Sequence, residues 1–167
     1  MRKMPVRSRR TLLTAVTVTA GLTLAAVTPA LAGTGANHTR AAVSSAQGDP
    51  RNATQRVADF YGAYIDSVWA ADDPAAAANA KALRAFYLSA AAQKKAGAYE
   101  KKNHADGILF AQNVPVRWKV AYTGSGMGHS TSRVTLTWSD GGNAQVTRID
   151  VQSDLQTLKI TGLKPVD

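Results

Sequence analysis

The chain has no cysteine among its 167 residues. A disulfide framework is therefore excluded, and so are thiolate metal sites, a cysteine nucleophile and lipid attachment at a cysteine. The fold has to be held by its apolar core alone. Histidine is nearly as scarce, with His38, His104 and His129 only. A metal centre wants three or four ligands converging from fixed elements. His104 and Asp106 make a pair with nothing in the sequence to join them, so neither a metal nor a cofactor is expected. Also missing is the G-x-S-x-G motif of a serine nucleophile elbow. The glycine-rich stretch Gly124-Ser125-Gly126-Met127-Gly128 precedes strand-like residues, whereas a phosphate cradle needs a helix N-terminus after it. It reads as a hairpin connection.

One long uncharged apolar run is present, at the N-terminus. MRKMPVRSRR carries five basic residues and no acid; TLLTAVTVTAGLTLAAV follows, then TPALAG with Ala30 and Ala32 at an A-x-A site. This pattern predicts a secretory signal peptide over residues 1–32, cut after Ala32, and no stable membrane anchor. Ser8-Arg9-Arg10-Thr11-Leu12-Leu13 has the paired arginines of a twin-arginine signal, so either export route fits. The formal charge of +9 shrinks accordingly: from Gly33 onward 15 Lys and Arg face 11 Asp and Glu. The remaining excess does not call for a specific nucleic-acid partner; it suits solubility or attraction to anionic cell-wall polymers.

Residues 33–48, GTGANHTRAAVSSAQG, are small and polar without periodicity, and are expected to be a disordered leader before a single domain over 49–167. Asp49-Pro50 reads as N-cap and first position of a helix. In it Val57, Phe60, Tyr61, Tyr64, Ile65 and Val68 share one stripe. Asp73-Pro74 repeats the start signal for a second helix edged by Leu83, Phe86 and Tyr87. Ser89 is placed to cap a third, AAAQKKAGAYEKKN, which buries Ala92, Ala96 and Tyr99. Beyond Asp106-Gly107 the apolar period changes from 3.6 to 2. Val116, Trp118, Val120 and Tyr122 alternate with Arg117, Lys119, Ala121 and Thr123, and Val134, Leu136 and Trp138 with Arg133, Thr135 and Thr137. Further strands are expected at Gln145–Val151, with a bulge between Val146 and Ile149, and at Leu155–Ile160. Helices followed by hairpin-linked strands predict an α+β fold, with the helices on one face of an antiparallel sheet of about four strands.

Three groups are candidates for function. The aromatics Tyr61, Tyr64, Tyr87, Tyr99, Trp118 and Trp138 fall on inward faces, where they either line a ligand cavity or fill a core. Lys94, Lys95, Lys101 and Lys102 form a basic stripe on helix three, extended by Lys81 and Arg84, which would dock an acidic polymer, lipid or protein. The outer sheet face, with Arg117, Lys119, Arg133, Thr135 and Thr137, faces either solvent or a second copy in a homodimer. The acids read as solvated or as caps, with none directed into the core.

The order of parts resembles small exported bacterial proteins with a nuclear-transport-factor-2-like fold. The matching residues are Phe60-Tyr61 with Tyr64, then Asp106, Ile108, Leu109, Ala111, Gln112, Asn113, Val114 and Pro115. The resemblance covers Pro50 to the C-terminus. It implies a curved, cone-like sheet with a cavity beneath it, and Gln112 and Asn113 at the rim, bonding a ligand or tying down their loop. Phe110 and Asn113 stand where such relatives often carry Cys and Asp, so a disulfide or an acid there has no counterpart here. The expected role is a secreted, non-catalytic binding protein, for a small ligand or a macromolecular partner. An isomerase or dehydratase, and an inhibitor or immunity-type protein, are the alternatives.

Overall fold

The computed structural model describes residues 47–166. The expected signal peptide and most of the expected leader lie outside them. Three helices, α1 (Ala53–Trp69), α2 (Ala76–Tyr87) and α3 (Ala90–Asn103), precede four strands, β1 (Arg117–Gly126), β2 (His129–Thr137), β3 (Val146–Asp154) and β4 (Ile160–Val166). The strands form one antiparallel sheet in the order β1-β2-β3-β4. The α+β architecture with about four strands is as expected. Among the described residues no helix is long and apolar enough to cross a membrane.

The helix starts differ from the sequence expectation. Asn52, not Asp49, caps α1, its side chain accepting from the Gln55 amide. Asp49 and Pro50 form the turn before it, where Asp49 accepts from the Arg51 amide. Asp73 likewise serves a turn, accepting from the Ala75 amide, so α2 begins three residues later without a side-chain cap. Asx turns and N-caps use the same chemistry, a short acceptor meeting an amide two or three residues on, and sequence alone does not separate them. Ser89 caps α3 as expected, accepting from the Ala92 amide.

One sheet face is covered. Val134, Leu136, Ile149 and Val151 pack beneath Val57, Phe60, Tyr61, Tyr64 and Ile65 of α1, with Leu88, Ala92 and Ala96 completing the core. The helices are joined to the far sheet edge by backbone: Ser89 N–H donates to Ile160 O at 2.9 Å, and Leu88 bridges Ile160 in parallel. Lys159 Nζ donates to the Phe86 carbonyl at the α2 end, and Arg56 Nε reaches Leu158 O at 3.4 Å.

Three strand expectations need correcting. The β2–β3 register runs unbroken from Thr137↔Val146 to His129↔Asp154, so there is no bulge between Val146 and Ile149; Val146 simply sits on the uncovered face. Register shifts occur instead at Tyr122/Gly124 and Gln152/Ser153. Leu155, Gln156 and Thr157 form a turn rather than a strand, because Asp154 Oδ1 accepts from the Gln156 and Thr157 amides and the Thr157 hydroxyl. The glycine-rich connection narrows to Met127-Gly128, both with positive φ (51° and 78°), as a tight two-residue hairpin turn demands.

Candidate functional site

The DGILFAQN stretch is built around Asp106. Its Oδ1 accepts from the Ile108 and Leu109 amides at 2.7 and 2.8 Å, and its carbonyl accepts from the Phe110 amide. Its Oδ2 accepts from the Tyr64 hydroxyl and from Arg84 Nη2 at 3.0 Å. Arg84 also donates to the Tyr64 oxygen through Nε at 3.0 Å, and pairs with Glu100 Oε1 at 2.6 Å. Glu100 Oε1 in turn accepts from the Gly107 amide at 3.0 Å. One residue from each helix thus meets the loop. Burial opposes the Arg84 charge, but attraction to the Tyr64 oxygen and the two carboxylates outweighs it and raises its pKa. Gly107 is required by close approach: a Cβ there would lie 2.3 Å from the Ala96 carbonyl oxygen.

Both Asp106 oxygens are each engaged by two donors, and Glu100 and Arg84 serve each other. An open hollow of about 620 Å³ lies over this cluster, lined by His104 and Gln112 besides the cluster itself. Its charges are spent on tying α1, α2, α3 and the loop together. Sequence reasoning had Asp106 as a turn acid and Arg84 on the lysine stripe, and missed the cluster. Glu100, followed by Lys101 and Lys102, carries no local signal that would have marked it.

The aromatic candidates do not share one cavity. Tyr61 and Tyr64 are fully buried. The Tyr61 hydroxyl donates to Ile108 O at 3.2 Å, and the Phe60 ring lies 5.4 Å from each of them. They fill the core instead of lining a cavity. Tyr87 flanks an α1–α2 groove of about 450 Å³, while Tyr99 packs edge-on to Phe110 beside an α3 hollow of about 180 Å³. Trp118 has the expected parity, opposite Leu136, and its ring lies against Gly62 of α1, but on the edge strand β1 it stays 38% exposed. Trp138 is half-buried, its Nε1 donating to the Thr147 hydroxyl. Gln112 ties its loop, donating to His104 O at 3.2 Å, and Asn113 is exposed. Lys94, Lys95, Lys101 and Lys102 are exposed on α3, with the last two in its final turn, where they offset the helix dipole. Arg84 does not extend that stripe, since it turns inward to Asp106. Among the described residues no three potential metal ligands converge.

Burial of the two phenols makes a prediction about alkali. Burial, together with the nearby Asp106 charge, raises the pKa of both Tyr61 and Tyr64 far above the ordinary value of 10.0. The folded state therefore holds these protons where the unfolded state releases them. Their stabilisation is complete below about pH 10 and is lost as pH rises beyond it, at up to about 1.4 kcal/mol per pH unit for each phenol. Urea midpoints are expected to hold steady from pH 7 to 9 and fall steeply by pH 11. Tyr61→Phe should flatten that fall by about half.

A larger concavity lies at the hairpin end, between the start of α1 and β1. It holds about 830 Å³ and is lined by Asn52, Thr54, Gln55 and Ala58 on one side and Val120, Tyr122 and Ser125 on the other, with Ser130 and Leu155 closing it. Its origin is in the sequence of the covered sheet face. There β2 reads Ser130, Ser132, Val134, Leu136, and Ser130 pairs with Ser153. Large apolar residues fill one end and three buried serines the other, so the core thins towards the hairpin. Thr54, which lines the concavity, bonds its hydroxyl to that of buried Ser132 at 3.0 Å. Tyr122, 58% exposed, stands at the side with its hydroxyl donating to Ser125 at 2.9 Å. Asp49 and Arg51 pair at the mouth, and that bond holds the Asp49 carboxyl below its ordinary pKa.

No family model matches the chain. No curated protein matches it either. Among solved structures, a Bacteroides thetaiotaomicron VPI-5482 protein, described as a protein of unknown function, is similar with a TM-score of 0.53 at 19% identity, over 68% of this chain and 88% of that one. At that identity the likeness is one of fold, to a bacterial protein whose role is equally open.

Proposed function

We propose that the chain is an exported, non-catalytic binding protein that takes a small hydroxyl-bearing ligand in the cleft between α1 and β1. The observation that carries this reading is the serine floor. Three small polar residues stand at one end of the covered face, where Val134, Leu136, Ile149 and Val151 fill the middle of β2 and β3. Of these Ser130 lines the cleft, and with Asn52, Gln55, Tyr122 and Ser125 it offers hydroxyls, amides and one ring face in a volume within the usual range of ligand sites, about 300–1,000 Å³. The lining supplies donors and acceptors for orientation. Its one carboxylate, Asp49, has a lowered pKa, whereas a general acid or base works best near neutrality. That favours holding over proton transfer. Export rests on the basic, apolar and A-x-A succession of residues 1–32.

The helices-then-meander order and the Asp106–Pro115 motif support a nuclear-transport-factor-2-like cone for this domain. In this reading the cone interior is occupied by Phe60, Tyr61 and Tyr64, and the ligand enters from the open side near Tyr122.

Native mass spectrometry of the protein purified from culture medium tests the proposal. A bound mass is expected that survives gentle ionisation and leaves on denaturation. Tyr122→Ser should lose that mass with a urea midpoint nearly unchanged, since the ring is largely exposed. A bare wild-type mass, or a bound mass that the variant keeps, would refute the cleft reading.

A further inference from the structure

The sheet face turned away from the helices carries a cation on every strand. In the pairing register Lys119, Thr135 and Arg148 form one row across β1, β2 and β3, and Ala121, Arg133, Asp150 and Lys164 form the next across β1 to β4. Lys119, Arg133, Arg148 and Lys164 therefore zigzag across all four strands, each diagonal to the next. Diagonal neighbours in a sheet lie about 7–8 Å apart. The only acid inside the zigzag is Asp150, and it is paired with Arg133 at 2.8 Å. Among the described residues, Lys119, Arg148 and Lys164 make no salt bridge. Lys119, Arg148 and Lys164 are exposed. The hydroxyls of Thr131, Thr135 and Thr137 lie among these cations on the same face.

We infer that this face docks a linear polyol phosphate polymer, laid across the strands with its phosphates on the zigzag and its polyol hydroxyls against the threonines. Charge complementarity selects a polyanion, and the regular spacing selects one whose charges repeat along a chain. The absence of stacking platforms selects against a base-bearing strand: the exposed aromatics Trp69, Phe86, Trp118 and Tyr122 all lie on α1, α2 or the opposite face of β1. The face is also poor in apolar side chains, with Val146, Val166 and Ala121 only, so it has little to insert into a lipid surface. This site lies on the other side of the sheet from the serine-floored cleft, and stands or falls separately from it.

The test measures binding of the purified protein to poly(glycerol phosphate) by isothermal titration across a salt series. Wild type is expected to bind below about 50 mM salt, with log K falling linearly against log salt. The Lys119→Gln/Arg148→Gln/Lys164→Gln variant should bind at least about tenfold more weakly at that salt, with a slope shallower by about 2, since each lost cation removes roughly 0.7. Its urea midpoint should match wild type, and Lys119→Arg/Arg148→Lys/Lys164→Arg should retain binding. Lys94→Gln/Lys95→Gln/Lys101→Gln/Lys102→Gln should leave both affinity and slope in place. No binding at low salt overturns the inference. So does equal loss in the α3 variant, or tighter binding to oligodeoxythymidine or to phosphatidylglycerol vesicles than to the polymer.

Discussion

Gly107→Ala is expected to cost the domain about 3–5 kcal/mol, while Gly97→Ala, on the same helix–loop unit, is expected to stabilise it by about 1 kcal/mol. The two glycines differ in what a methyl group would meet. At Gly107 it would fall 2.3 Å from the Ala96 carbonyl oxygen and 2.8 Å from the Ala96 carbon and Cα, all backbone atoms of α3. Relief therefore requires moving the helix or the loop. The loop is held by Asp106 and Glu100, and the helix by Ala92 and Ala96 in the core. Overpacking of a well-filled site usually costs about 1–3 kcal/mol, and more where the obstacle is backbone. At Gly97 nothing lies within 4 Å, so only the gain in helix propensity remains. Urea midpoints of the two variants should move in opposite directions. A Gly107→Ala loss below about 1 kcal/mol would show that the loop yields, and that the close approach is not a constraint.

Asp106→Ala carries the next largest expected effect, about 3 kcal/mol. It removes the oxygen that accepts from two amides, the Tyr64 partner and one of the two anions on Arg84. Breaking one side of a buried ion pair costs about 3–5 kcal/mol; this pair is about one-fifth exposed and Glu100 stays on Arg84, which lowers the figure. Asp106→Asn keeps an oxygen for the Ile108 and Leu109 amides and loses the charge, so it should cost about half as much. Tyr64→Phe, which removes one hydroxyl, should cost about 1 kcal/mol. The order Ala, then Asn, then Phe, read from chemical denaturation, distinguishes a loop organiser from a plain surface acid. A surface acid would make all three nearly silent. If Asp106 instead did chemistry on a ligand, Asp106→Asn would leave stability intact while abolishing a function.

The legibility of this fold in its sequence differed by element, for physical reasons. The α1 stripe and the β2 alternation were plain because a buried face imposes its period on every residue it includes. Helix starts were less plain, since Asp49 and Asp73 satisfy turn amides with the same short side chain that would cap a helix. Strand parity located Trp118 and Tyr122 on the covered side correctly, but parity does not say how well an edge strand is shielded, and on β1 both rings stay partly exposed. The Arg84–Glu100–Asp106 cluster was hidden because its members come from three elements. Its existence depends on how those elements cross, which no local pattern records. The serine floor was written openly in β2 as Ser130 and Ser132 ahead of Val134 and Leu136. It was passed over because small polar residues near a hairpin look like turn composition.

The stitching of residues 158–160 to the helices sets a clock on assembly. The meander can pair strand by strand, since each partner is the next in line. The helical layer is different: Arg56 waits for Leu158, 102 residues later, and the Phe86 and Ser89 backbones wait for Lys159 and Ile160. Contacts of such long separation are slow to close. A chain still emerging from its ribosome therefore cannot latch its first helix until residues 158–160 have been made. Until then the Tyr61 and Tyr64 face stays unlatched, a state that a chaperone has time to meet.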